Sequence, residues 1–304
     1  MIDVCLLGTG GVMPLPGRWL SSALIRYNGR MILIDCGEGT QVPLRMAGWG
    51  FKASDAGLLT HYHGDHAAGL PGLLLTIGNS ERTEPLTLIG PPGLGEVVEG
   101  LTVIAPELPY NLKLIELSGT ERDEIRLNGL IIGSIPVDHT ITCLCYSLYL
   151  KRQGKFDIDM AEKLNIPVQY YRQLQNGCKV EADGRVIKPE MVLGLERKGI
   201  KICYCTDTRP TEALVDFVRE SDLFICEGMY GSNEDLEKAV QKKHMTFTEA
   251  AEIAKKARVK ELWLTHYSPS LTEPEKYIDE TEAVFPGTRT GTDLLAKTLK
   301  YNQE

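Results

Sequence analysis

The sequence predicts an α/β protein of four layers, two β-sheets packed face to face with helices outside each. Two observations carry this. Between residues 200 and 265, apolar runs of strand length alternate with helical periodicity and read as βαβ units, whereas the first half strings short strands into a meander. A hydrophobic share of 43% over 304 residues is also enough for a large core without disulfides or other staples.

The chain opens on an apolar strand, residues 2–7, that runs into the glycine-rich turn Gly8-Thr9-Gly10-Gly11. Strands over 22–27 and 30–35 follow, joined by the hairpin signal Asn28-Gly29. Leu58-Leu59-Thr60 ends a further strand, and strand-like runs recur at 86–89, 112–117, 130–136, 143–150, 200–205, 223–226 and 261–265. Helical periodicity marks 41–47, 93–103, 212–220, 246–257 and 274–284, and Thr246 with Glu249 has the spacing of a capping box. No apolar stretch approaches the ~20 residues of a membrane-spanning helix. Residues 1–7 lack the basic-then-apolar order of a signal peptide. The expectation is a soluble, cytoplasmic protein with no membrane partner.

Seven of the eight cysteines (Cys5, Cys36, Cys143, Cys145, Cys203, Cys205, Cys226) lie in apolar runs, and none forms a C-x-x-C pair. They read as reduced core thiols, not as ligands or disulfides. The net charge of −8 argues against a uniformly basic polyanion binder, but the charge is uneven. Residues 151–201 carry eleven Lys/Arg against seven Asp/Glu, which is +4 and leaves −12 for the remainder. The stretch 151–199 is polar and poor in strand signal, and we read it as a flexible arm inserted into one domain spanning 1–304. Its charge fits phosphate contacts and equally a solvated surface.

The sharpest signal is Thr60-His61-Tyr62-His63-Gly64-Asp65-His66, four potential metal ligands within six residues. His61 and His63 can point the same way from a strand end, while Gly64 permits the turn that sends Asp65 and His66 towards a second position. Imidazole with carboxylate suits Zn²⁺, Fe or Mn better than Ca²⁺ or Mg²⁺. His139, Asp207 and His266 each follow an expected strand, and strand ends converge on one rim of a layered sheet protein. Six or seven ligands without a cysteine suit two metals roughly 3.5–4 Å apart.

The H-x-H-x-D-H signature with a later His, Asp and His resembles the metallo-β-lactamase superfamily. The wider set is similar to the ribonuclease Z family of tRNA 3′-endonucleases. It comprises Leu7-Gly8-Thr9-Gly10, Asp35-Cys36-Gly37-Glu38-Gly39-Thr40-Gln41, Gly69-Leu70-Pro71-Gly72-Leu73-Leu74, Arg82-Thr83-Glu84-Pro85-Leu86, Gly154-Lys155-Phe156-Asp157 and His244-Met245-Thr246. The resemblance covers nearly the whole chain. It implies a metallo-β-lactamase sandwich with two Zn²⁺ per subunit, a homodimer, and precursor tRNA as partner. One zinc would sit on His61, His63 and His139, the other on Asp65, His66 and His266, with Asp207 bridging. It further implies that Asp65 takes the proton of the attacking water, and that Glu227 orients His244 to protonate the leaving 3′-oxygen. The stretch 151–199 falls where the family carries the arm that grips tRNA. Lys151, Arg152, Lys155, Arg172 and Lys179, with Arg18 of the first loop, are the expected RNA contacts. Three loops depart from the family pattern, at 14–19, 167–172 and 267–271. Two other readings stay open: a metal-dependent hydrolase of small phosphodiesters or other esters, and an RNA-binding protein without turnover.

Overall fold

In the computed structural model, which describes residues 1–182 and 184–301, the strand runs form two seven-stranded sheets. Asp183, counted in the basic stretch, and residues 302–304 lie outside the described residues. The first sheet runs Ala296–Leu299, Ile2–Gly8, Ser22–Tyr27, Arg30–Ile34, Ser54–Leu58, Leu86–Gly90, Leu112–Glu116. The second runs Thr288–Thr290, Leu262–Thr265, Leu223–Glu227, Arg197–Cys205, Cys143–Arg152, Leu130–Val137, Asp123–Leu127.

Successive strand side chains face opposite ways, so each central strand feeds two cores. Ile2, Val4 and Leu6 meet Leu144, Tyr146 and Ile202 between the sheets. Cys5 and Leu7 face outward onto Leu44, Leu70 and Leu74, from helices Gln41–Met46 and Leu70–Gly78. On the other side, Cys203, Cys205 and Cys226 pack on Leu214, Phe217, Ala250 and Ala254, from helices Glu212–Val218 and Phe247–Ala257. Strands buried on both faces become nearly continuous apolar runs, which makes them visible in the sequence. The result is the expected four-layer αββα arrangement. Seven cysteines are buried and unpaired, and Cys178 is exposed. Among the described residues no helix is long and apolar enough to cross a membrane.

The meander expectation holds for the first three strands, which pair antiparallel, and again for Asp123–Leu127, Leu130–Val137 and Cys143–Arg152. Between them, Arg30–Ile34, Ser54–Leu58, Leu86–Gly90 and Leu112–Glu116 pair parallel in succession. Helix Leu70–Gly78 lies in one of these crossovers; it carries Pro at its start, and Leu70, Pro71, Leu73, Leu74 and Ile77 are buried. A helix without a polar stripe gives no amphipathic signal. Strand Asp123–Leu127 lies outside the expected set, although Asn128-Gly129 repeats the earlier hairpin chemistry with φ of 51° and 82°.

Strand Cys143–Arg152 runs past Leu150, and Arg197–Cys205 begins before Ile200, so Lys151 and Arg152 are strand residues. Between these strands the chain closes on itself: Asp157 N–H donates to the Val192 carbonyl at 2.8 Å and Gly194 N–H to that of Lys155 at 2.9 Å. A side chain at Gly154 would strike the Gly194 carbonyl at 1.9 Å, so this close approach requires glycine. The enclosed segment has its own small core of Ala161, Ile166, Leu174, Val180, Ala182, Ile187 and Val192.

Candidate metal centre

All the candidate ligands lie just beyond strand C-termini. His61 follows Ser54–Leu58, His139 follows Leu130–Val137, Asp207 follows Arg197–Cys205, and His266 follows Leu262–Thr265. Asp207 and His266 turn out of their strands with φ of 53° and 60°, a left-handed step that Asp and His take more readily than most residues. His63 caps the short helix Gly64–Ala67, whose first turn presents Asp65 and His66. The Leu144 N–H donates to the Thr60 carbonyl at 2.9 Å and joins the two sheets at this rim.

These side chains converge. His61 Nε2 and His139 Nε2 lie 3.0 and 3.3 Å from His63 Nδ1, and His66 Nε2 lies 3.1 Å from His266 Nε2. Asp207 reaches both sets. Its Oδ1 is 3.9 Å from His61 and 3.7 Å from His139, and its Oδ2 is 3.2 Å from His66 and 3.3 Å from His266. Asp65 Oδ2 is 3.5 Å from Nε2 of both His66 and His266. The ligand atoms fall into the groups His61–His63–His139–Asp207 and Asp65–His66–His266, with Asp207, His244 and His266 forming a third overlapping set.

The donor set fits divalent metal ions. Asp207 Oδ2 and His266 Nδ1 are buried, and neither has an aligned hydrogen-bond partner among the described residues. Several rings are held from behind by the nitrogen that faces away from the centre. His61 Nδ1 lies 3.0 Å from Thr60 Oγ1, His66 Nδ1 2.9 Å from Asp35 Oδ2, and His139 Nδ1 3.3 Å from the Lys243 carbonyl. Such outer partners fix the orientation of metal-binding histidines. Burial, then the charge of His66, pushes His61 down to about 2, and burial lowers His139. Burial opposes ionisation of Asp207, yet His266, His66 and His61 hold its carboxyl well below the usual carboxylate range. His66 goes the other way: burial works against its proton, but Asp207 and Asp35 retain it.

His244 stands beside the cluster. Its Nδ1 is 3.1 Å from Glu227 Oε2, on a carboxylate that is fully buried at the end of Leu223–Glu227. Glu227 also accepts the Thr208 and Met245 N–H groups at 2.5 and 3.3 Å. Burial lowers His244, but the charge and hydrogen bond of Glu227 outweigh it and raise the imidazole to about 9. A cavity of about 460 Å³ opens over these groups, lined by Val12, His63, Asp65, His139, Asp207 and His244 among others, with Lys242 the one lysine or arginine among its described lining residues.

The expected RNA contacts lie elsewhere. Lys151, Arg152 and Arg172 line a separate groove of about 810 Å³ together with Arg126 and Arg197. Lys155 and Lys179 are exposed. Lys151 pairs with Glu196 at 2.8 Å. Arg18 donates to the carbonyls of Leu271 and Thr272 at 2.6 and 3.0 Å, which braces two of the loops that depart from the family pattern against each other.

A protein of Lachnoclostridium phytofermentans named Ribonuclease Z is 52% identical over 303 residues, covering 100% of this chain and 99% of its own. The chain belongs to the ribonuclease Z family. Residues 2–183 match the family model of the anti-Pycsar protein Apyc1, and residues 178–267 that of the beta-lactamase superfamily domain. The metallo-beta-lactamase fold protein YhfI of Bacillus subtilis superposes with a TM-score of 0.71 at 20% identity, covering 98% of this chain and all of that one. The short form of human tRNase Z superposes at 0.69 and 24% identity, covering 98% and 99%. At these identities the two structures establish that this ribonuclease Z family member has the metallo-β-lactamase fold.

Asp35 stands in the motif after the third strand, where sequence reasoning gave it no place in the site. It is 1% exposed, with φ of 59°, and accepts the Thr60 N–H at 2.8 Å as well as holding His66. A buried acid directly after a strand, ahead of glycines, was the available signal. Asp35→Ala strands the buried Thr60 N–H and frees the His66 ring. The expected outcome is about 2–4 kcal/mol of lost stability by denaturant titration and roughly 10–100-fold weaker metal binding.

Proposed function

We propose that this chain is a metal-dependent endoribonuclease that removes the 3′ trailer from precursor tRNA. One observation carries the reading: seven ligand-type side chains from four strand ends meet beside a glutamate-backed histidine, in a chain 52% identical along its length to a protein named Ribonuclease Z. The tRNA substrate follows the name of the human neighbour. In this reading the metal is zinc, two ions per subunit, and the protein is a cytoplasmic homodimer.

His61, His63 and His139 would hold one ion and Asp65, His66 and His266 the other, with Asp207 between them. When bound, the pair supplies Lewis acidity, lowering the pKa of water and neutralising charge on the phosphoryl oxygens. Asp65 takes the proton of the attacking water as its oxygen bonds to phosphorus. His244 uses Nδ1 to face Glu227, which leaves Nε2 to protonate the 3′-oxygen as the P–O3′ bond breaks. The products are tRNA with a 3′-hydroxyl and a trailer with a 5′-phosphate. Lys242 at the cavity wall is placed to meet a neighbouring phosphate.

The segment 151–199 serves in this reading as a flexible arm for tRNA, and the groove at its root takes backbone phosphates. Arg126 and Arg172 are exposed groove residues. Arg126→Ala and Arg172→Ala are expected to raise KM for precursor tRNA by roughly 3–10-fold each with kcat little changed. Each should also lower the salt slope of binding by about one for every phosphate left without its arginine. Lys155 and Lys179 would add weaker contacts, and Arg18 acts by bracing its loop.

Cleavage of a precursor tRNA and of bis(p-nitrophenyl) phosphate by the same preparation tests the proposal. Trailer release leaving a 3′-hydroxyl supports it. Turnover of the small ester alone would make the protein a small-phosphodiester hydrolase, and tRNA binding with neither activity would make it a binding protein.

A further inference from the structure

Val12 has a φ of 71°, in the left-handed region where a β-branched residue is an outlier. The residue is 56% exposed, so buried packing does not hold it there. What the conformation delivers is a hydrogen bond: the Val12 N–H donates to Asp65 Oδ2 at 2.7 Å. The flanking residues are anchored as well. Gly11 N–H donates to the Tyr267 carbonyl at 2.9 Å and Met13 N–H to that of Gly11 at 2.8 Å. A side chain at Gly11 would meet the His266 ring at 2.8 Å. The turn is therefore seated on His266 and Tyr267 and closed onto Asp65, whose Oδ2 also faces His66 and His266.

We propose that Val12 is a positioning residue, its backbone N–H fixing the Asp65 carboxylate against His66 and His266. Strain of this kind persists only where the surroundings over-determine it, and it gathers at functional sites. The Met13 N–H to Gly11 carbonyl bond closes a tight turn around Val12, and the Val12 N–H is what that turn aims at Asp65. A charge-assisted bond from a backbone N–H sets the carboxylate rotamer while leaving Oδ1 unspent. The proposal rests on the metal-centre reading given under Proposed function.

The test is zinc affinity of the full chain, measured by competition with a chromophoric chelator, alongside the thermal midpoint of the zinc-free protein. A backbone ester in place of the Val12 amide removes the N–H and keeps the side chain. It is expected to weaken the looser zinc equivalent roughly 10–100-fold, the usual effect of losing a partner behind a ligand. Val12→Asn keeps the N–H and tolerates positive φ. It is expected to bind zinc within about threefold of wild type, with a thermal midpoint no lower. An ester protein that binds zinc like wild type overturns the proposal. A tenfold loss in Val12→Asn, where the donor remains, overturns it equally and does not depend on the ester protein folding. Wild-type protein that takes up no zinc overturns the metal-centre reading itself and this proposal with it.

Discussion

Replacing Asp207 by Asn is expected to strip the bound metal and lower kcat/KM on precursor tRNA by about 10⁴-fold or more, about 5.4 kcal/mol of transition-state stabilisation. The two oxygens of Asp207 face both groups of histidines, Oδ1 towards His61 and His139 and Oδ2 towards His66 and His266. Asn preserves volume and tolerates the φ of 53°, so the variant isolates the charge. Asp207→Ala should lose metal to the same extent and a further ~1–2 kcal/mol of metal-independent stability, because alanine pays the left-handed backbone penalty. Elemental analysis by mass spectrometry on the two variants, with thermal unfolding in chelator, separates these effects. Retention of wild-type metal content by Asp207→Asn would exclude the bridging role.

His244→Ala is expected to lower kcat by roughly 10²–10⁴-fold with metal content unchanged, the range for loss of a positioned general acid. The Glu227 carboxylate behind Nδ1 favours the protonated ring, so the proton to be donated sits on Nε2 facing the cavity. Glu227→Gln keeps a hydrogen-bond partner but loses the charge, and about a tenfold fall is expected. Combined with His244→Ala it should cost little more than His244→Ala alone, because Glu227 acts on the chemistry through His244. The discriminating substrate is bis(p-nitrophenyl) phosphate, whose leaving group departs as a stable anion and needs no proton. On it the His244→Ala deficit should shrink below about tenfold. A deficit as large as on RNA would show that His244 holds the site together and does not act as an acid.

Much of this was legible in the sequence because strong local rules coincide with the tertiary outcome. Thr60–His66 packs four ligand-type residues where one strand ends, and His139, Asp207 and His266 each follow an apolar run. Strand direction was less legible. Ser54–Leu58, Leu86–Gly90 and Leu112–Glu116 carry no mark of their own that separates a meander from parallel pairing, and the crossover helix Leu70–Gly78 is apolar on its exposed side as well, where Leu75 lies. The edge strands Thr288–Thr290 and Ala296–Leu299 are short and polar, and their register is set by neighbours Leu262–Thr265 and Ile2–Gly8. Asp35, Lys242 and the Val12 N–H were missed for a different reason. Their significance comes from contacts across 31 and 53 positions for Asp35 with His66 and Val12 with Asp65, and from a cavity wall for Lys242. No spacing rule reports a backbone donor.

In the proposed function His61, His63, Asp65, His66, His139, Asp207 and His266 form one divalent-metal centre that drives RNA cleavage. The most direct measurement is metal stoichiometry and trailer cleavage on the same sample, before chelation, after chelation, and after zinc is restored. Close to two ions per chain are expected, with cleavage lost when they are removed and recovered in proportion to the metal returned. Cleavage that persists undiminished in protein holding less than a tenth of an ion per chain would contradict it.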